Sequence, residues 1–285
     1  VGCGRAAQSL ARMWSSGGIL AIGQVVNRSP DSARRAVEFI GQGEPAASLS
    51  GVGPDDWLLL GLPESSLAKT AKRLGRVAAD KPALAFHLSG SEDASVLAPL
   101  GVPSASIHPL RPFHDPEEVI GSFSGTWCVA EGDGAALDAI LPVFQGIGGN
   151  VLRAGALDKR LYHAAGVVAG NYLVTLHHLA LELAEAAGLE RESAGKMLAT
   201  LQGRTLNAIF DKGAAGALTG PVERGDEQAC RELVRAVDRA RPDLGPVFRA
   251  LGRETVKLAA SNRPEDPGLA SLEAVFADPE KPTSP

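Results

Sequence analysis

The sequence predicts a doubly wound α/β domain joined to an all-helical domain. Three observations predict it. The chain opens on Val1-Gly2-Cys3-Gly4-Arg5-Ala6-Ala7, a G-x-G-x-x-A turn. Short apolar runs then alternate with helical patterns as far as Arg153, which is the signature of a parallel sheet with helices on both faces. After Ala154 the strand signals stop and amphipathic helical patterns follow. Residues 1–155 are therefore expected to form a Rossmann-like nucleotide-binding domain, and 156–262 a helical substrate and dimerisation domain. The Pro-rich segment 263–285 is expected to be a poorly ordered tail, Leu269–Phe276 apart.

Each small residue of the opening turn has a mechanical role. Gly2 permits the tight turn, Gly4 lets the backbone approach a pyrophosphate, and Ala7 lets the next helix pack closely on the sheet. The helix from Arg5 to Ser15 points free N–H groups and a partial positive charge at phosphates. A first strand should precede Gly2, yet only Val1 stands there, so further apolar residues are expected upstream.

Leu20–Val26 reads as the second strand. It ends in Asn27-Arg28-Ser29, and Pro30 opens a helix to about Ile40 with Ser29 as its N-cap. NAD-selective sites carry a carboxylate at this strand end to hold a ribose hydroxyl. Asn27, Arg28 and Ser29 instead offer an amide, a guanidinium and a hydroxyl, which suit a 2′-phosphate. The expected cofactor is NADP(H). A short strand is possible near Ala46–Ser48. Trp57–Leu62 is a continuous apolar run, as in a strand buried on both faces, and it closes on Leu62-Pro63. A helix follows over Ser65–Ala79. Ala83–Leu88 and Val102–His108 are further strands, ending in Ser89-Gly90 and His108-Pro109, with a helix over Ala94–Leu100 between them. Phe123–Glu131, the helix Gly134–Ile147 and Asn150–Arg153 complete the domain. Ligands of such sheets bind outside the carboxyl ends of the strands. This places Leu62, Pro63, Ser89, Gly90 and His108 near the cofactor and substrate.

The helical part reads as Asp158–Ala187, Arg191–Lys212, Asp226–Arg239 and Leu244–Ala260. Its first helix carries Lys159 and His163, four residues apart and so on one face. Gly166 and Gly170 leave that face bare, and Asn171 lies about 80° around the helix from His163. A lysine or histidine at a domain junction could protonate a substrate oxygen while a hydride reaches carbon. In Ala217–Asp226, Thr219-Gly220-Pro221 is a turn and Asp226 a helix cap, and Thr219 and Arg224 could hold a substrate carboxylate.

Composition narrows the classes. The formal charge is 28 − 33 = −5, which argues against nucleic acid or an anionic membrane as partner. Cys3, Cys128 and Cys230 are far apart, without metal-ligand spacing, and read as reduced thiols of a cytoplasmic protein. His177-His178 lacks further ligands at zinc spacing, so no metal site is expected. No apolar run of about 18 residues suggests a membrane span. No G-x-S-x-G elbow supports a hydrolase.

Gly2-Cys-Gly4-Arg5, Asn27-Arg-Ser29, Leu59-Leu-Gly-Leu-Pro63, His87-Leu-Ser89-Gly90, Ser106-Ile-His108-Pro-Leu110, Leu161-Tyr-His163, Asn171-Tyr-Leu and Leu218-Thr-Gly-Pro221 follow in this order. Together with Arg224-Gly-Asp226 they resemble the bacterial oxidoreductases that join a Rossmann-like domain to a C-terminal domain of unknown function. That group is similar to the 6-phosphogluconate dehydrogenase-like and ketopantoate reductase-like enzymes. The resemblance implies a cofactor cleft between domains and a homodimer formed through the helical domain. It carries the junction lysine of β-hydroxyacid dehydrogenases onto Lys159. Their asparagine four residues later is His163 here, so its role passes to His163 or Asn171. The expectation is an NADPH-dependent reductase of a small carbonyl or imine compound, with a carboxylate-bearing 2-oxo acid as first substrate. An NADP(H)-sensing protein without turnover and a deazaflavin-dependent NADP reductase are the alternatives.

Overall fold

The computed structural model describes residues 1–50, 52–77 and 81–278. The chain forms two compact units, Val1–Val168 and the residues from Ala169 onward. The first unit is a sheet with helices on both faces. Its strands are β1 (Gln24–Val26), β2 (Glu44–Ala46), β3 (Trp57–Leu60), β4 (Leu84–His87), β5 (Ser104–Pro109), β6 (Trp127–Gly132) and β7 (Asn150–Arg153). β1 and β2 pair as one parallel ribbon, and the other five form a sheet in the order β3-β4-β5-β6-β7. Val1 and Gly2 bridge the two. The Val1 amino group donates to the Leu59 carbonyl at 2.8 Å and the Val1 carbonyl accepts from Gly61 at 2.9 Å, while Gly2 N–H donates to Val26 at 2.8 Å.

The helices of the unit are α1 (Arg5–Ser16), α2 (Pro30–Ile40), α3 (Glu64–Val77), α4 (Pro116–Ser122), α5 (Gly134–Gly146) and α6 (Lys159–Ala169). Strand residues alternate between two cores. Phe86 and Ile107 face Leu10 and Trp14 of α1 and Ile140 and Phe144 of α5. Leu58, Leu60 and Ala85 face Leu67, Ala71 and Leu74 of α3. Trp14 meets Phe144 edge-on at 5.3 Å between ring centroids, a preferred aromatic geometry. The sequence expectation of a wholly parallel sheet needs one correction, because β6 runs antiparallel to β5. The Leu110 N–H bonds the Trp127 carbonyl at 2.7 Å, so β6 begins beside the carboxyl end of β5. The connection holds only the short α4, and no crossover carries the chain back to the other edge.

The expected helix over 158–187 is interrupted. α6 ends at Ala169 and α7 (Asn171–Ala186) begins after Gly170. By length and composition the stretch Lys159–Ala186 is apolar enough to cross a membrane, with a mean hydropathy of 1.2. Taken separately, helices of 11 and 16 residues span about 17 and 24 Å at 1.5 Å per residue, short of a hydrocarbon core of about 30 Å.

The second unit contains α7, α8 (Arg191–Ala217), α9 (Glu227–Ala240), α10 (Gly245–Ala260) and α11 (Pro267–Val275). α8 runs past the expected end at Lys212, with a non-helical Gly213 inside it. Its core gathers Cys230 of α9, Val256 and Ala259 of α10, and Leu269, Leu272 and Val275 of α11, with Phe276 beside them. Gly252 leaves room for the Phe276 ring, since a Cβ there would collide with it. The stretch Leu269–Phe276, set apart from the expected tail, is folded, because Pro267 opens a helix capped by Asp266 and its apolar side closes the core. The expected helix end at Ala79 and residues 279–285 lie outside the described residues.

Leu272 is fully buried. Leu272→Ala is therefore expected to cost about 2–5 kcal/mol, the range for a large-to-small core change. Urea unfolding of the full chain measures it, and a loss below about 0.5 kcal/mol, the usual size of a surface change, would mean that α11 is not part of the core.

Candidate active site

The opening turn folds as its spacing predicts. Gly2 adopts φ +76°, which only glycine takes without strain, and any Cβ there would strike Leu62. A Cβ on Gly4 would meet nothing within 4 Å, so this part of the turn is open. Ala7 is buried and packs where a Cβ on Gly61 would touch it at 2.8 Å. α1 starts with no side-chain cap. Its first backbone bond runs from Gln8 to the Gly4 carbonyl, so the amides of Arg5, Ala6 and Ala7 have no partner within the helix.

Asn27, Arg28 and Ser29 divide their duties. Asn27 Oδ1 accepts the Cys3 N–H at 2.6 Å, and its Nδ2 donates to the Ser32 carbonyl at 3.0 Å. Its amide ties the turn to the strand end. Ser29 caps α2 in a reciprocal capping box with Ser32. Arg28 is exposed, with no hydrogen bond or ion pair among the described residues. Arg5 reaches across to donate to the His114 carbonyl at 3.1 Å. Pro63 lies exposed at the end of β3, where α3 begins.

A second cluster forms where β4 and β5 end against α6. Lys159 is 4% exposed. Its ammonium donates to the Ser89 carbonyl at 3.0 Å and to Ser106 Oγ at 2.9 Å. Desolvation pulls its pKa down, and the carboxylates of Glu131, Asp93 and Glu64 push back. Ser89 Oγ donates to Glu64 Oε1 at 2.6 Å, and the Ser91 N–H joins it at 3.2 Å. Partial burial raises the Glu64 pKa, but these bonds outweigh it and hold the carboxyl below its ordinary value. His87 is fully buried and its tautomer is fixed. Nδ1 accepts from the Ser89 N–H at 3.1 Å, so Nε2 donates to the Asp93 carbonyl at 3.1 Å.

His108, Tyr162 and His163 lie together at this end of the sheet. His108 Nδ1 and the Tyr162 hydroxyl are 2.9 Å apart. The His108 ring stands edge-on to Tyr162 at 5.7 Å and to His163 at 6.2 Å. Gly90 makes this arrangement possible, since a Cβ would sit 2.5 Å from His163 Nδ1 and 3.1 Å from His108 Nε2. Burial first, then the charges of Lys159 and His163, lower the His108 pKa to about 4. Burial raises that of Tyr162. At neutral pH the pair is a neutral imidazole and an intact phenol, and the Lys159 ammonium lies 5.6 Å from the phenol ring centre.

Five of the expected residues therefore meet in the first unit: Lys159, His163, Ser89, Gly90 and His108. Asn171, Thr219 and Arg224 belong to the second unit. There Thr219 lies in the turn before α9, the Arg224 N–H bonds the Gly220 carbonyl at 3.2 Å, and Asp226 caps α9. Tyr162, Ser106 and Glu64 were not expected. Tyr162 stands three residues after Lys159, a spacing that puts an aromatic hydroxyl beside a lysine on one helix face. Ser106 and Glu64 become visible only through pairing across the sheet. Among the described residues no group of three or more His, Cys, Asp or Glu side chains could hold a metal ion.

The fold and these two clusters define a Rossmann-type protein with a helical second unit. Residues 126–255 match the family described as a domain of unknown function, DUF2520, and the resemblance drawn from the motifs holds. Among solved structures the chain is similar to a protein from Thermotoga maritima, with 26% identity and a TM-score of 0.71, covering 92% of this chain and 98% of that one. It shares the fold of a proposed NADP oxidoreductase from Bacteroides fragilis, at 24% identity and a TM-score of 0.70, covering 89% and 95%. An imine reductase from Myxococcus stipitatus, solved in complex with NADP+, has the same fold at 16% identity and a TM-score of 0.63, covering 97% and 98%. No curated protein matches the chain in sequence.

The buried histidines set a pH dependence. Burial holds both His87 and His108 at about 4, against an ordinary value of 6.5. Between pH 6.5 and 4 the unfolded chain binds protons that the folded chain refuses, so stability falls as pH falls through that window. Urea midpoints at pH 7 and pH 5 are expected to show this, with a smaller drop in His108→Gln. An equal drop in that variant would mean that His108 is not held neutral.

Proposed function

We propose that the protein is an NADPH-dependent reductase of a small carbonyl or imine compound, and within that class of a carboxylate-bearing 2-oxo acid. The observation that carries this reading is the neutral His108–Tyr162 pair, set over a buried ammonium at the carboxyl ends of β4 and β5. The Rossmann turn supports the cofactor. Gly4 leaves a bare approach, three α1 amides have no partner within the helix, and Arg28 supplies an unengaged guanidinium. The fold shared with an imine reductase solved with NADP+ supports the reaction class. Gly2, Gly4, Arg5 and Ala7 would hold or shape the pyrophosphate site, with Leu62 and Pro63 at its edge. When bound, NADPH supplies the hydride.

The chain's own residues then supply the proton. With His108 as its Nδ1–H tautomer, the ring donates to the Tyr162 oxygen and leaves the phenol hydrogen for the substrate's oxygen or nitrogen. The phenolate formed keeps the His108 hydrogen bond and faces the Lys159 ammonium. Lys159 is committed to Ser89 and Ser106, so its part is to position the strand ends and stabilise the phenolate. His163, packed on Gly90, is the second candidate donor.

The partner proposed for the helical unit is a second copy of this chain. α7 buries none of its residues and α8 only Ala194, while Val174, Met197, Leu201 and Phe210 are exposed. Apolar faces of this extent mark association sites. Phe210, 81% exposed, is the natural probe. Wild type is expected to sediment as a dimer and Phe210→Asp as a monomer, whereas a monomeric wild type would refute the interface.

Catalysis is tested by NADPH oxidation over 2-oxo acids, β-keto acids, cyclic imines and a deazaflavin. Tyr162→Phe is expected to lower kcat about 10²–10⁴-fold, the usual contribution of general acid catalysis, with NADPH affinity unchanged. Tight NADPH binding without turnover of any compound would favour a sensor, and turnover of the deazaflavin alone would move the substrate class.

A further inference from the structure

Lys159 lacks a direct counter-charge. Both of its hydrogen bonds end on neutral oxygens, the Ser89 carbonyl and Ser106 Oγ, and it makes no ion pair among the described residues. An ammonium held this way in a protein interior is prone to give up its proton. Three carboxylates stand near enough to oppose that loss: Glu131, Asp93 and Glu64. A backbone amide of the segment that follows β4 anchors each of them. Ser91 N–H donates to Glu64 Oε1 at 3.2 Å, Ala94 N–H to Glu131 Oε1 at 2.9 Å, and Ser95 N–H to Asp93 Oδ1 at 2.9 Å.

The three carboxylates are not equivalent. Asp93 and Glu64 are exposed, so water and salt screen them. Glu131 is half-buried, on β6. The antiparallel register seats it opposite Ser106 of β5. Residues opposed in this way project from one face of a sheet, with Cβ atoms about 4.5–5.5 Å apart. Ser106 is fully buried, and its hydroxyl accepts the ammonium. Glu131 therefore shares a face with the residue that holds Lys159, at a depth where its field is little screened. The other ionisable groups around the ammonium are His87 of β4, His108 of β5, and Tyr162 and His163 of α6. None of these is negative at pH 7, so none replaces the charge of Glu131.

We propose that Glu131 is a positioning residue that keeps Lys159 protonated, and so sets the upper pH limit of the proton-transfer step without touching the substrate. The inference rests on the reductase reading above and deepens it. The phenolate left on Tyr162 is stabilised only while Lys159 is an ammonium. Burial lowers the Lys159 pKa, and the charge of Glu131 is the largest influence that opposes it. Without that charge the ammonium is lost at a lower pH, and the alkaline limb of kcat moves down with it. Burial also raises the Glu131 pKa, against the pull of the Ala94 N–H and the Lys159 charge. Protonation of Glu131 in acid has no matching effect, because the lysine is charged there in any case.

The test uses the full chain carrying isotope-labelled lysine. The Cε resonance of Lys159, assigned by its loss in Lys159→Arg, is followed against pH. Glu131→Gln keeps an acceptor for the Ala94 N–H and removes the charge. It is expected to lower the Lys159 midpoint by about one pH unit or more, the usual effect of an opposite charge within about 4–6 Å. The alkaline limb of kcat should move by the same amount, with NADPH affinity unchanged. A purely structural role would lower kcat at every pH and leave the midpoint in place. Glu131→Asp restores a carboxylate and is expected to recover much of the shift, and Glu64→Gln, at an exposed carboxylate, to move the midpoint less than Glu131→Gln. An unchanged midpoint in Glu131→Gln, or a larger shift in Glu64→Gln, overturns the assignment, while turnover of a carbonyl or imine compound by wild type leaves the reductase reading standing. If the midpoint moves as expected and no compound is turned over, Glu131 holds the lysine charged and the reductase reading fails.

Discussion

The buried ammonium of Lys159 is the interaction on which the first unit's site depends. Taking an ammonium out of water costs several kcal/mol. Charged hydrogen bonds return about 1.5–3 kcal/mol each, and Lys159 makes two, to the Ser89 carbonyl and to Ser106 Oγ. The fields of Glu131, Asp93 and Glu64 add to them. The terms are of similar size, so the lysine is tolerated only while both acceptors stay in place. That condition ties three elements together: the exit of β4 at Ser89, the middle of β5 at Ser106, and the first residue of α6.

Everything else in the cluster hangs on that tie. Because α6 starts at a fixed point over the strand ends, Tyr162 falls beside His108 and His163 falls over Gly90. The Ser89 backbone serves twice, its carbonyl under Lys159 and its N–H on His87. Its hydroxyl is drawn to Glu64, at the start of α3. The helix after β3 and the helix after β7 are thus both keyed to one serine. In the proposed reaction this gives two layers: a charged lower layer that sets geometry and field, and a neutral upper layer that gives the proton.

What could be read from the sequence follows from the range of the interactions. The glycine turn, the Ser29 cap and the placing of Lys159 and His163 on one helix depend on spacings of a few residues, and these are where the local signals place them. The role of Asn27 depends on a partner 24 residues away, so spacing alone suggests a phosphate ligand where the fold has a tie. The reversed β6 was hidden for a related reason. An apolar run does not record direction, and only the shortness of the link from Pro109 to Trp127 encodes it. Gly170 was visible but was read as part of a bare face, where it divides α6 from α7. The apolar run Leu269–Phe276 was visible, but its seat was not, because that depends on the Phe276 ring meeting Gly252 of another helix.

The charges of the first unit act by different physics. Lys159 is surrounded by protein, so counterions cannot approach it and its field on Tyr162 is nearly independent of salt. Arg28, Lys69 and Arg73 stand in water, where charges are screened over about 8 Å at physiological ionic strength. A single buried point charge is therefore suited to a step in which a proton moves within a fixed geometry. Several exposed charges lining one groove are suited instead to drawing in a mobile anion from solution.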